Sequence, residues 1–250
     1  MRLPAMIDPD TAQLMTAARN LMAGDGISTS ALYYEEQFAL GAPPVPLTVW
    51  PPGMAIAALP FLALGISTST SAFIVSAIGH VATILLTYWL CRLGGLSRVI
   101  ALAVGMAVAC LAFSFTLLAD GYSEPAFIAA TLASGGLLFL SREYPRPVAL
   151  LIASGAFTTV AISFRYAGLA WLAAGLAAVA LFDFRSGFVS LLARCAAFGV
   201  LPVAFCAVLF ARNLSAVGTL TGGPLLGGDS NLGEIAQNSY WALLRLFGAT

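Results

Sequence analysis

Apolar residues follow one another along most of this chain in runs too long for a strand and too continuous for an amphipathic surface helix. About 20 helical residues cover about 30 Å of hydrocarbon, and several runs approach or exceed that length. Ser71 to Cys91, Val99 to Leu118 and Pro125 to Leu140 predict three spans. Pro147 to Phe182 is apolar throughout except for Arg165 and Tyr166 near its centre. At 1.5 Å per residue it would make a helix of about 54 Å, too long for one crossing. It reads as two helices that turn at Arg165. Phe188 to Phe210 predicts a sixth span, with Arg194 close enough to one end to snorkel. The expected fold is therefore all-α, a polytopic transmembrane bundle of about six spanning helices.

The first 70 residues differ. Leu14, Ala17, Ala18 and Leu21 have helical spacing within Asp10 to Met22, and Gly24-Asp25-Gly26 supplies a stop. Ser28 to Val49 is polar, and Pro43, Pro44 and Pro46 force extended backbone. Trp50, a residue suited to headgroup level, opens Trp50-Pro51-Pro52-Gly53. The run that follows, Met54 to Ile66, is 13 residues with Pro60 inside it, too short to span. It predicts an interfacial or re-entrant helix. Three regions result: an external loop over 1–70, a transmembrane region over 71–211, and a second external loop over 212–250.

Composition agrees. The chain is 60% hydrophobic and only 9% charged, which excludes a water-facing globular domain. Eleven arginines balance eleven acids, and there is no lysine. No basic surface exists for nucleic acid or for polybasic lipid docking. Cys91, Cys110, Cys195 and Cys206 lie in or beside apolar runs, which makes a disulfide framework or zinc site improbable. Arg92 and Arg98, Arg142 and Arg146, and Arg185 and Arg194 flank three short connections, six of the eleven arginines. The positive-inside rule assigns those connections to the cytoplasm. The first 70 residues hold Arg2 and Arg19 against five acids and belong outside. A chain that begins outside implies a further helix upstream, and the ending at Thr250 implies a continuation.

That topology gathers polar residues at the outer membrane surface. Asp8 and Asp10 begin the first loop; Asp120, Tyr122 and Glu124 lie between the second and third spans. Arg165 and Tyr166 turn between the fourth and fifth, and Arg212 and Asn213 end the sixth before the glycine-rich Thr219 to Gly228 and Asp229. Charged groups at membrane depth are functional candidates because hydrocarbon makes them costly. Each also has a plain structural role available. Arg165 can anchor a turn, Glu124 can favour a helix N-terminus, Asp8 or Asp10 can be an N-cap, and His80 can be a hydrogen-bonded packing residue. Asn213-Leu214-Ser215 fits a glycosylation acceptor but lies too close to the membrane for that use.

Asp10, Ala18-Arg19-Asn20-Leu21, Gly24-Asp25-Gly26, Pro46-Leu47-Thr48 and Trp50-Pro51-Pro52-Gly53 occur in an order that resembles the first external loop of GT-C glycosyltransferases. The likeness is to the bacterial branch similar to protein O-mannosyltransferases and aminoarabinose transferases. Ser123-Glu124-Pro125, Phe164-Arg165-Tyr166, Arg212-Asn213 and Gly218-Thr219-Leu220-Thr221-Gly222 also fall in family order. Leu14 stands where members usually have an aromatic residue, and Thr11 where many have a second acid. The resemblance implies a multi-pass enzyme of the bacterial inner membrane, with its site on the periplasmic or extracellular face. The donor would be a polyprenyl-phosphate-linked sugar and the acceptor a glycan, lipid or protein. The loop acid, the candidate base, maps best onto Asp10, with Asp8 second; Arg165, Arg212, Glu124 and Tyr166 are the donor and phosphate candidates.

The residue chemistry suits such a reaction. Direct displacement at a sugar-phosphate bond needs a base on the acceptor hydroxyl and cations on the departing phosphate, and it inverts the anomeric centre. Arginine forks match phosphate oxygens. No cofactor is required; Asp8 and Asp10 alone are a weak basis for a divalent metal. Two other classes remain open: a lipid-sugar or small-solute transporter, which calls for paired ionisable groups deep in the bilayer and repeated halves, and a structural membrane subunit.

Overall fold

The computed structural model describes residues 8–32, 37, 40–111, 117–144, 147–183 and 187–220. Helix α1 (Pro9–Ala23) starts where Asp8 caps it, its carboxylate accepting the Asp10 N–H at 3.0 Å, with Pro9 at the first helical position. It stops at Gly24, whose φ of 94° lets the Asp25 N–H return to the Asn20 carbonyl at 2.9 Å. A short antiparallel pair follows, β1 (Ser28–Thr29) with β2 (Val45–Pro46), Ser28 opposite Pro46.

Seven further helices are described: α2 (Gly53–Ala63), α3 (Thr68–Leu93), α4 (Arg98–Ala109), α5 (Glu124–Leu140), α6 (Pro147–Phe164), α7 (Gly168–Asp183) and α8 (Phe188–Val217). Among the described residues, α3 and α8 are long and apolar enough to cross a membrane, and α2 and α4 to α7 are shorter apolar helices. The long run from Pro147 divides at Arg165, as its length requires: the Gly168 N–H bonds the Arg165 carbonyl at 3.0 Å and closes a tight turn. Two boundaries differ from the sequence reading. The run from Val99 leaves α-helix at Cys110, whose N–H reaches the carbonyls of both Met106 and Ala107. That tightening ends α4, and residues 112–116 lie outside the described ones. Conversely, α8 does not end near Phe210. Pro202 is accommodated inside it, and no proline or glycine occurs between Phe210 and Gly218, in the left-handed region at φ 74°, so Arg212 and Asn213 stand inside the last turns of a 30-residue helix. Arg146, Arg185, Asp229 and the glycine-rich stretch after Leu220 lie outside the described residues.

Packing reverses the usual order of size. Ser134, Ser154 and Thr158 are fully buried, while Val189 is 80% exposed and Phe188 78%. Many large apolar side chains face outward while small and hydroxylated ones are among those buried, an arrangement found in helices that associate in an apolar solvent. Backbones meet at glycines. A side chain at Gly79 would strike the Ala126 backbone, one at Gly155 the Phe198 carbonyl, and one at Gly168 the Ile162 nitrogen at 2.7 Å. Several buried hydroxyls are paired, while Ser71 Oγ is buried without a partner. Ser134 Oγ lies 3.0 Å from Ser154 Oγ and 2.9 Å from Thr158 Oγ1, and it accepts the Trp171 indole N–H at 3.0 Å, joining α5, α6 and α7. One apolar cluster joins Leu14 and Met15 of α1 to Met54 of α2, Val75 of α3 and Phe164 of α6, so the first loop is seated on the bundle. Another joins Leu138, Leu151, Val179 and Phe198. At the opposite end from the first loop, Arg194 pairs with Asp183, and Arg142 lies 4.1 Å over the Phe182 ring.

Gly155→Ala, which forces α6 and α8 apart, should cost about 1–3 kcal/mol as an overpacking change. Gly199→Ala meets only the flexible end of Leu176 at 3.4 Å and should be near neutral. Thermal unfolding in detergent checks the pair: equal melting temperatures would contradict the close approach at Gly155.

Candidate functional site

The N-terminal ends of α1 and α5, the turn between α6 and α7, and the last turns of α8 are joined through polar contacts at one end of the bundle. The Thr11 hydroxyl lies 3.5 Å from the Gly121 carbonyl, which seats the start of α1 on the turn before α5. Tyr166 donates its hydroxyl to the Thr48 carbonyl at 2.9 Å and accepts from Asn213 Nδ2 at 2.9 Å. Asn213 is fully buried and also donates to the Leu220 carbonyl at 2.9 Å. Burial pushes the Tyr166 hydroxyl above its ordinary pKa of 10.0, opposed by the Asn213 hydrogen bond and the Arg212 charge.

Arg212 acts as a latch on the first loop. Its Nη1 donates to the Leu47 carbonyl at 2.8 Å and its Nη2 to the Ile27 carbonyl at 2.6 Å. The Leu47 N–H also bonds the Ile27 carbonyl, at 3.1 Å, so one guanidinium holds both edges of the strand pair where it opens. Hydrogen bonds from charged donors are the stronger kind, and these join residues 165 and 185 positions apart.

Arg165 has different surroundings. Its Nη1 pairs with Glu124 Oε1 at 2.6 Å and lies 3.5 Å from Ser123 Oγ, and its guanidinium carbon sits 5.4 Å from the Trp50 ring centroid. The side chains of Arg165 and Glu124 are 27% and 23% exposed, enough to reach solvent and too buried to be fully screened. Two atoms around this pair are buried without a hydrogen-bond partner: Glu124 Oε2, an acceptor, and Trp50 Nε1, a donor. Such groups cost free energy unless a ligand or water completes them.

The acids cluster beside them. Asp8 caps α1 and also accepts the Tyr122 hydroxyl. Asp10 lies in the first turn of α1, half-buried. Partial burial, the bond to Asp8 and the charges of Asp8, Asp120 and Glu124 push the Tyr122 hydroxyl from 10.0 up to about 12. Tyr122, Trp50 and Asn213 were not singled out as site residues by sequence. For Tyr122 a signal existed, acids two residues before and after it; for Trp50 and Asn213 no local signal marks the contact. Among the described residues, no three His, Cys, Asp or Glu side chains gather as a metal site.

Below this polar patch runs a groove of about 290 Å³ between α2, α3, α5 and α6, lined by Ala57, Phe61, Val75, Gly79, Ala130 and Phe164, among others. Its lining is apolar throughout. Ile78 at its side is 57% exposed, and Phe157 and Val160 are each 41%, so it opens laterally. Phe164 precedes Arg165, and Ala126, another lining residue, follows Glu124 by two positions, which sets the ion pair at the upper end of the groove.

Removing the latch with Arg212→Ala should release the strand pair, at roughly 1.5–3 kcal/mol per lost charged hydrogen bond. Hydrogen exchange across residues 27–29 and 45–48 should quicken, and Arg212→Lys, which can reach one carbonyl but not both, should fall between. Unchanged exchange in the alanine variant would deny the latch. Tyr122 gives a second check. Its folded pKa is raised, so its bond to Asp8 contributes fully below pH 10 and is lost as pH rises through about 12. Subtracting the phenolate absorbance titration of Tyr122→Phe from that of the unaltered protein should reveal one tyrosine titrating near 12; a difference centred near 10 would exclude the contact.

No family model, no curated protein and no solved structure matches this chain.

Proposed function

We propose that this chain is a multi-pass membrane glycosyltransferase that moves a sugar from a polyprenyl-phosphate carrier to a glycan, lipid or protein acceptor at the non-cytoplasmic face, as its resemblance to the GT-C enzymes implies. The observation that carries the reading is the junction of Arg165, Glu124 and Trp50 with the upper end of a wholly apolar groove. An isoprenoid chain needs apolar surface open to lipid, its phosphate needs a cation, and its sugar needs donors and acceptors. These three demands are met within one neighbourhood. In this reading α3 to α8 belong to six membrane-spanning segments. The end bearing Arg92, Arg98 and Arg142 faces the cytoplasm under the positive-inside rule.

Residue roles follow from the contacts. Arg165 binds the donor phosphate, positioned by the Trp50 face. Glu124 Oε2 and Trp50 Nε1, both lacking partners, receive sugar hydroxyls. The base is assigned to Asp10, in the first turn of α1, as the resemblance implies, with Asp8 second. Arg212 and Tyr166 act through the loop they hold, placing Trp50 and the start of α1, rather than as direct phosphate ligands. In the reaction Asp10 takes the proton of the acceptor hydroxyl, whose oxygen bonds the anomeric carbon. The bond from that carbon to the phosphate oxygen breaks, and polyprenyl phosphate departs with the electron pair, its charge stabilised by Arg165. A single displacement inverts the anomeric configuration.

Sugar release from a labelled polyprenyl-phosphate donor in proteoliposomes tests this. Asp10→Asn keeps the size of the side chain but takes no proton, so turnover should fall about 10²- to 10⁴-fold with donor binding retained. Arg165→Ala should weaken donor binding as well as turnover, because the phosphate is present in both ground and transition states. A wild-type rate for Asp10→Asn with a large loss for Asp8→Asn would move the base to Asp8. Carrier bound without sugar release by the unaltered protein would favour transport instead.

A further inference from the structure

The Arg165–Glu124 pair poses a difficulty for a simple anion site, because its cation already holds an anion. We propose that Glu124 is a specificity residue: its carboxylate is a tethered competitor that keeps lipid phosphodiester headgroups without hydrogen-bond donors off Arg165. This rests on the donor-site reading of the groove and adds to it what the site rejects.

The surroundings make rejection necessary. The groove opens laterally, with Ile78, Phe157 and Val160 exposed along it, so any lipid chain can enter. Nothing in an apolar lining distinguishes an isoprenoid from an acyl chain by charge or hydrogen bonding. Selection therefore falls to the head of the groove. A bare guanidinium there would attract the phosphate of every neighbouring phospholipid. Glu124 prevents this by proximity. Its Oε1 is 2.6 Å from Arg165 Nη1, fixed on the first turn of α5, and a partner already in contact on the same chain has an effective molarity that a diffusing headgroup does not match. A phosphodiester approaching Arg165 also meets the like charge of Glu124, whose second oxygen is buried and unpartnered.

A lipid-linked sugar phosphate overcomes the same barrier because it brings more than charge. Its hydroxyls can donate to Glu124 Oε2 and accept from Trp50 Nε1, so the two atoms that lack partners gain them when the phosphate takes its place on Arg165. A diacyl phosphodiester whose headgroup carries neither hydroxyl nor ammonium N–H offers no donor to Glu124. Specificity then comes from completing unpaired buried groups as much as from attraction.

The test uses the full chain in nanodiscs of equal phosphatidylmethanol, a monoanionic phosphodiester without headgroup donors, and phosphatidylcholine. Retained lipids are counted by native mass spectrometry after detergent release. The unaltered protein should show little preference between the two. Glu124→Gln, equal in size but uncharged, should favour phosphatidylmethanol by about tenfold, the scale of one removed like charge. Adding Arg165→Gln should abolish that gain. A folded Glu124→Gln protein with the unaltered ratio overturns the proposal, as does a gain that survives in the double variant. Should Glu124→Gln not fold, Glu124→Asp, whose shorter arm loosens the pair, should show a smaller gain, and an unchanged ratio there overturns the proposal equally. Lipid retention requires no turnover, so this result and the Asp10→Asn transfer result can fail independently.

Discussion

At Gly155 the backbone of α6 comes so near the Phe198 carbonyl of α8 that a methyl group has no room, and Gly79 does the same between α3 and the start of α5. Helices with large apolar residues facing outward gain nothing from being driven together by water, so contact depends on how closely their backbones approach. The hydroxyl cluster at Ser134 supplies the directional part, linking three helices through one oxygen. These approaches place the start of α5 beside α3, and the turn after α6 within reach of Glu124. The polar end of the molecule is thus a product of packing well below it.

On that base the first loop is assembled by long-range polar contacts. Arg212 and Tyr166 reach carbonyls of Ile27, Leu47 and Thr48, beside a strand pair only two residues long, and Asn213 supports the Tyr166 hydroxyl. Backbone groups in irregular segments must be satisfied by something, and here side chains from the bundle do it. The same contacts hold Trp50 against Arg165. Loop and bundle are therefore one unit at this end, sharing a core through Leu14, Met54 and Phe164.

How much of this was legible in the sequence depends on the reach of each signal. The stop of α1 was written locally, in Gly24-Asp25-Gly26, and the division of the 147–182 run followed from its length and the polar Arg165-Tyr166 inside it. The early end of α4 carried no proline or glycine to announce it, and the extension of α8 ran past Arg212 because hydrophobicity, not helix propensity, had set the expected boundary. The gathering of charged groups could be read from the arginine and acid pattern. Their pairing could not. Arg165 and Arg212 look alike in sequence, each beside a polar residue at the end of an apolar run. One faces a carboxylate and an indole, the other two peptide carbonyls, because their partners lie between 41 and 185 residues away.

Helix α8 is 30 residues long, about 45 Å at 1.5 Å per residue. In a hydrocarbon slab about 30 Å thick such a helix leans, and the angle follows the thickness around it. Arg212 stands in its last two turns and grips the loop through Ile27 and Leu47. A change of lean thus becomes a displacement at the far end of a lever, carried by two short bonds to the segment that supports Trp50. In a membrane, the lean of this helix would be felt by the loop that supports Trp50.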